Sequence, residues 1–197
     1  MSGEPPALRP DQTVRILTVC THNRTRSVMM AAMLESMLRE RLGIDGVVLS
    51  SAGFGPPGIP AIRDAVDAMD RRKLDVSSHR SQQVTTDLLG AVDIVLTAER
   101  DHVVKIAALS PAMFPLTMTL PEFLQLAAAD PVGASADMSD WLKGLTTERT
   151  AGQYLRGDVG EIADPTGLPS RAFEASVVVL EQQCDEAAGF LARAASR

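Results

Sequence analysis

Short aliphatic runs alternate with longer segments of helical period along this chain, and that alternation limits the fold more than any other feature. TVRILTV at 13–19 is β-branched and aliphatic and ends abruptly in polar residues, the mark of a buried strand. In VMMAAMLESMLRERLG at 28–43, Met30, Met33, Leu34, Met37, Leu38 and Leu42 recur at helical spacing, and Gly43 is a natural stop. The methionine stripe reads as core packing. GVVLSSAG at 46–53 predicts a second strand feeding the turn-rich FGPPGIP, and AIRDAVDAMDRRK at 61–73 a helix with Ile62, Val66 and Met69 on one face. A third strand is expected over AVDIVLTA at 91–98, followed by a helix over RDHVVKIAALS that Pro111 stops. AMFPLTM at 112–118 predicts a short fourth strand, and Thr119 with Glu122 forms a capping box for EFLQLAA. The stretch at 170–194 is a closing helix. Strand and helix alternating with short turns imply an α/β fold: a doubly wound, four-stranded parallel sheet with helices on both faces, in a single domain. Ligands of such sheets sit at the C-terminal ends of the strands.

The 197 residues suffice for one domain, which buries about 70% of its extended-state surface without covalent staples. Residues 1–12 carry three prolines and no apolar core, so they read as a flexible N-terminal leader rather than a signal peptide. The domain then runs over 13–197, with an insertion of loops and short helices at about 127–153. No apolar run approaches the roughly 18 residues of a membrane span. A net charge of −6 and an aromatic share of 4% argue against a nucleic-acid partner held by bulk electrostatics or stacking, so any bound anion is gripped locally. Two cysteines, Cys20 and Cys184, build neither a disulfide framework nor a four-thiolate metal site. The expectation is a cytoplasmic protein with no cofactor, no metal and no membrane partner.

One turn carries the chemistry. The strand ending at Val19 is followed by Cys20, five polar residues, Arg26, Ser27 and then a helix. A strand–loop–helix turn aims successive backbone N–H groups, and the positive end of the helix, at one spot. That field favours the thiolate of a cysteine placed at the loop's first position. A planar, permanently charged arginine holds two oxygens of a phosphate at once. The spacing of Cys20 and Arg26 alone is weak, but a polar loop with two arginines, a histidine and an asparagine is a poor place for a merely structural thiol. On its own Arg24 reads as a solvated surface charge, and His102 as a structural or surface residue.

VCTHNRTRS, SSAG, DVSSHRSQQVT, DIVLTAERDH and IADPTG, in that order, resemble the low-molecular-weight protein tyrosine phosphatases and the arsenate reductases of the same fold. The similarity runs over about 13–126 and resumes from 156 to the closing helix. The resemblance implies Cys20 as nucleophile, Arg26 as phosphate-binding arginine and Ser27 as the hydroxyl that supports the thiolate. Thr21, His22, Asn23, Arg24 and Thr25 complete the phosphate loop. Asn23 matches the asparagine that holds the loop's unusual backbone, and Ser51 and His79 match residues that brace it. Asp164 matches the general acid of an Asp-Pro motif; Asp130-Pro131 is a second such pair and Asp158 a fallback. The implied activity is a cysteine-dependent phosphatase acting on phosphotyrosine protein or a small aryl phosphate through a cysteinyl-phosphate.

The chain also departs from that pattern. His22 stands where the phosphatases carry Gly, and Thr25 where they carry a second loop Cys, so no intraloop disulfide can shield Cys20. Thr166 and Gly167 replace the aromatics that flank a phosphotyrosine ring, leaving Phe54 and Trp141 as possible walls. His22-Asn23 resembles arsenate reductases that use a low-molecular-weight thiol, which makes that activity the first alternative. A phospho-ligand binding module without catalysis is the second.

Overall fold

The computed structural model describes residues 13–43, 47–130, 138–147 and 149–195. The leader expected at 1–12 lies outside them, as does part of the segment at 127–153. Chain order is β1 (Val14–Cys20), α1 (Arg26–Leu42), β2 (Val47–Gly53), α2 (Arg63–Asp70), α3 (Thr86–Gly90), β3 (Ile94–Thr97) and α4 (Arg100–Leu109). A 3₁₀ turn (Pro111–Leu116), β4 (Thr117–Thr119), α5 (Leu120–Ala129), α6 (Met138–Gly144), α7 (Ala151–Arg156) and α8 (Ser170–Ala195) complete it.

The four strands form one parallel sheet in the order β2-β1-β3-β4. Alternation along β1 divides the interior. Val14, Ile16 and Cys20 belong to a large core with Met30, Met33 and Leu34 of α1, Phe123 of α5 and Val177 and Leu191 of α8. Leu17 and Val19 pack on the opposite side with Leu89 of α3 and Ile106 of α4. Helices therefore cover both faces, as the alternation of elements requires, and the methionine stripe of α1 is buried core. Because the chain leaves β1 toward β2 on one side and returns to β3 on the other, the C-terminal end of β1 is the point where the winding reverses. Cys20 is the last residue of β1.

Several boundaries differ from the sequence expectation. The fourth strand is only Thr117–Thr119, because Pro111 and Pro115 favour a 3₁₀ turn over most of the stretch read as β. The third strand is Ile94–Thr97, with Asp93 turned back so that its carboxylate accepts from the Arg15 amide. Helix α2 stops at Asp70, and the following turn brings Lys73 to a positive φ of 60°. The Thr119–Glu122 capping box is present as read: Glu122 N donates to Thr119 Oγ1 at 3.1 Å. Trp141, offered as a wall for a substrate ring, is instead 3% exposed, packed edge-on against Phe123, with Nε1 donating to Asp130 O.

Gly53 ends β2 against the polar loop, where a Cβ would lie 2.6 Å from Asn23 N and 2.9 Å from Cys20 O. Both are backbone atoms that cannot step aside cheaply. Gly53→Ala is therefore expected to cost about 1–3 kcal/mol, a fall of several degrees in a thermal melt; an unchanged melting temperature would contradict this packing.

Candidate active site

The loop between β1 and α1 is held by Asn23, which is fully buried in the left-handed region at φ 53°. Asparagine tolerates that region better than most residues, and here its side-chain amide and its carbonyl are both hydrogen-bonded. Its Oδ1 accepts from Gln82 N at 2.8 Å. Its Nδ2 donates to Ser51 Oγ at 2.9 Å and to Ser27 Oγ at 3.0 Å. Its carbonyl accepts from His79 Nε2 at 2.8 Å, which puts the His79 proton on that nitrogen. Elsewhere in the loop, Thr21 O accepts from the amides of Phe54 and Gly55, and Arg24 O from Ile62 N.

Cys20 Sγ lies 3.0 Å from Ser27 Oγ. Asn23 Nδ2 donates to the same hydroxyl oxygen, so the Ser27 O–H is free to be donated to sulfur. Cys20 is only 3% exposed, so the sulfur sits at the floor of the loop and not on the surface. Thr18 Oγ1 donates to Ser27 O at 2.7 Å and ties the start of α1 to β1. Helix α1 has no side-chain cap and no acidic residue in its first turn, so its leading N–H groups are open to an anion from the loop side.

Arg26, the first residue of α1, is 2% exposed. Its Nη1 donates to Glu99 Oε1 and, at 2.9 Å, to Ile162 O; Nη2 donates to Asp164 Oδ2 at 3.0 Å. The guanidinium is thus oriented by a carboxylate from the β3–α4 turn and by the segment that precedes α8. That segment is fixed by Ile162 N donating to Ala98 O, and by a hydroxyl contact of 3.2 Å between Thr166 and Thr25. Asp164 is half exposed and also accepts from Thr166 N at 3.1 Å. Partial burial pushes its carboxyl up, but the Thr166 hydrogen bonds and the charges of Arg26 and His22 outweigh that and hold it below the ordinary carboxylate range.

The structure therefore brings Cys20, Asn23, Ser27, Ser51 and His79 into one hydrogen-bonded network and pairs Arg26 with Asp164 at the start of α1, with Thr21, His22, Arg24 and Thr25 in the same loop. Arg24 is partly buried and donates from Nε to Pro60 O at 2.9 Å. Asp130 ends α5, exposed, and Asp158 is exposed on the approach to Asp164; among the described residues neither contacts the loop. Cys184 is fully buried in α8 among core residues, where burial pushes its thiol well above the ordinary range, so it is unsuited to a thiol relay. Phe54, partly buried, stacks its ring on His102 at 5.7 Å, with the Lys105 ammonium 5.3 Å from its centroid.

Two residues that touch the site were not read as part of it in the sequence, Glu99 and His102. Glu99 belonged to a stretch quoted for the resemblance, and only the fold shows that the β3–α4 turn meets Arg26. His102, expected to be structural or on the surface, is 1% exposed and touches the loop: Glu99 N donates to Nδ1 at 3.2 Å, and Nε2 lies 3.1 Å from Thr21 Oγ1. With Nδ1 accepting, the proton of the neutral ring is on Nε2 and is donated to Thr21. Burial lowers its pKa to about 4, against Glu99 and with help from Arg26 and Lys105.

An unfolded histidine takes up a proton below about pH 6.5, whereas His102 in the folded protein stays neutral to about pH 4. Stability is therefore expected to fall as pH drops through that window, by up to about 3 kcal/mol more in wild type than in His102→Gln. Urea unfolding at several pH values checks this; a difference between the two proteins that does not vary with pH would contradict it.

A family model described as low molecular weight phosphotyrosine protein phosphatase matches residues 15–143. The chain is 36% identical over 117 residues to the probable low molecular weight protein-tyrosine-phosphatase EpsP of Ralstonia nicotianae, covering 59% of this chain and 77% of that protein. It is 28% identical over 175 residues to the protein-arginine-phosphatase of Geobacillus stearothermophilus, covering 88% and 93%. The solution structure of a low molecular weight protein tyrosine phosphatase from Bacillus subtilis superposes with a TM-score of 0.69 at 24% identity, over 91% of this chain and 98% of that one, a likeness of fold. These similarities favour phosphatase over arsenate reductase chemistry. On the match over 15–143, the chain belongs to the low molecular weight phosphotyrosine protein phosphatase family.

Proposed function

We propose that this protein is a cysteine-dependent phosphomonoesterase of the reducing cytoplasm, acting on phosphorylated protein or a small aryl phosphate through a cysteinyl-phosphate. The observation that carries the reading is the hydrogen-bonded line from Asn23 Nδ2 through Ser27 Oγ to Cys20 Sγ, set at the open N-terminus of α1. Cys20 attacks phosphorus in line while the loop amides and Arg26 stabilise the equatorial oxygens. The P–O bond to the leaving group breaks, and Asp164 gives that oxygen its proton. Water then attacks the cysteinyl-phosphate with Asp164 as base, which returns the thiolate and releases phosphate.

Asp164 is paired with Arg26 in the structure, and a general acid must carry a proton. A phosphate dianion entering the loop competes for the same guanidinium and sets negative charge beside the carboxyl, which raises its proton affinity. Substrate binding thereby converts Asp164 from counter-ion to acid.

Cys20→Ser is expected to abolish turnover of p-nitrophenyl phosphate, and activity surviving in that variant would refute the nucleophile. Asp164→Ala is expected to slow phenyl phosphate by about a hundred-fold or more, and the better leaving group p-nitrophenol much less. Asp130→Ala should change neither rate; the reverse ranking would move the acid to Asp130. Because the carboxyl of Asp164 starts below its ordinary range, phosphorylation by phenyl phosphate should decline as pH rises in wild type, a decline that Asp164→Asn removes. Rapid-quench burst rates across pH test this, and parallel profiles in the two proteins would contradict it.

A further inference from the structure

The mouth of the loop has two unlike sides. On one stand the carboxylates Glu99 and Asp164, both engaged by Arg26. The other is framed by residues 21–25, 53–63 and 77–83, which contain no Asp or Glu although the chain as a whole has 25 acidic residues. Those segments carry Arg24, Arg63 and Arg80 and are joined into one unit. Arg24 donates from Nε to Pro60 O, and its carbonyl accepts from Ile62 N. Pro60 pairs with Arg80 in an antiparallel bridge, and Ser81 N donates to Ile59 O. His79, beside Arg80, is hydrogen-bonded to Asn23 O at the back of the phosphate loop.

Arg80 is exposed, and among the described residues its Nη1 donates to carbonyls, those of Ser78 and His79. Arg63 has a side chain 91% exposed and a loose ion pair, 3.6 Å, with Asp67 one turn along α2. Such a pair is worth little in water, so its charge remains available to a partner. The bridge and the short step from Pro60 to Arg63 keep the three guanidinium-bearing residues within roughly 10–15 Å, the length of about three or four residues of extended peptide.

We infer that the rim formed by Arg24, Arg63 and Arg80 is a docking surface for an acidic polypeptide: the preferred substrate is a phosphorylated protein segment with Asp or Glu within about four residues of the phosphorylated one. A strip of three cations that long matches the side-chain repeat of a peptide and exceeds the reach of a small phosphomonoester. This rests on the phosphatase reading of the loop and adds the substrate's flanks to it. The attraction acts between exposed groups, so it is screened by salt and shows mainly in association.

Three phosphotyrosyl peptides of equal length, with acidic, neutral or basic flanks, test the inference, with p-nitrophenyl phosphate as the flankless control. Wild type is expected to favour the acidic over the neutral peptide by about 3- to 10-fold in kcat/KM, with the basic peptide poorest, and the preference should shrink at high salt. Arg63→Glu/Arg80→Glu should lose or invert that order while turning over p-nitrophenyl phosphate as wild type does, and Arg63→Gln/Arg80→Gln should fall between. Fluorescence anisotropy of the same peptides on Cys20→Ser reads binding apart from chemistry. Acidic preference in binding with no turnover by wild type would sink the phosphatase reading and leave the docking surface standing. Turnover or binding that ignores the flanks, a preference that persists in the double charge reversal, or no binding of any peptide would overturn the docking surface.

Discussion

The site depends on one residue held in an unfavourable backbone conformation. Asn23 sits at positive φ without solvent, and the structure retains it there through four hydrogen bonds drawn from three separate segments. Strain of about 1–3 kcal/mol persists only where the surroundings over-determine it. In return, the loop turns tightly from β1 into the uncapped end of α1, and the Asn23 amide holds the Ser27 hydroxyl 3.0 Å from Cys20 Sγ. Gly53 belongs to the same constraint, because the loop presses on it too closely for any Cβ. Fold and chemistry meet there: the last residue of β2 is small so that the loop after β1 can close.

Arg26 shows how the sheet's topology serves the reaction. A buried guanidinium is costly unless its donors are met, and this one draws partners from the β3–α4 turn and from the segment before α8. Both lie at the reversal point of the winding, so residues some 73 and 138 positions away in sequence converge on it. One cation thereby organises three parts of the site. It is anchored at the first residue of α1, it holds the β3–α4 turn through Glu99, and it pairs with Asp164, the carboxylate to which we assign the proton transfers.

Much of this was legible in the chain, for identifiable reasons. The parallel sheet followed from aliphatic runs separated by amphipathic ones, a signal that depends on period and survives errors at the ends. Cys20 and Arg26 stood out because a polar, doubly basic loop between a buried strand and a helix has little structural use for a thiol. The fourth strand was overdrawn because Phe114 and Leu116 look β-forming, while the two prolines dictate the local turn. Trp141 looked like a substrate wall because it lies amid small polar residues; its packing on Phe123 is a long-range contact invisible to local pattern. Glu99 and His102 escaped for a related reason. Nothing near them in sequence announces that their turn abuts the phosphate loop, and a histidine in a helix looks alike whether it faces water or a threonine hydroxyl.

The central claim is covalent: phosphorus passes through the sulfur of Cys20. The most direct measurement is mass spectrometry of the protein acid-quenched during the burst with p-nitrophenyl phosphate, followed by digestion and sequencing of the modified peptide. The account predicts one phosphoryl group, on Cys20, appearing at the rate of the burst. A burst of product with the label on another residue, or with no label on the protein, would contradict it.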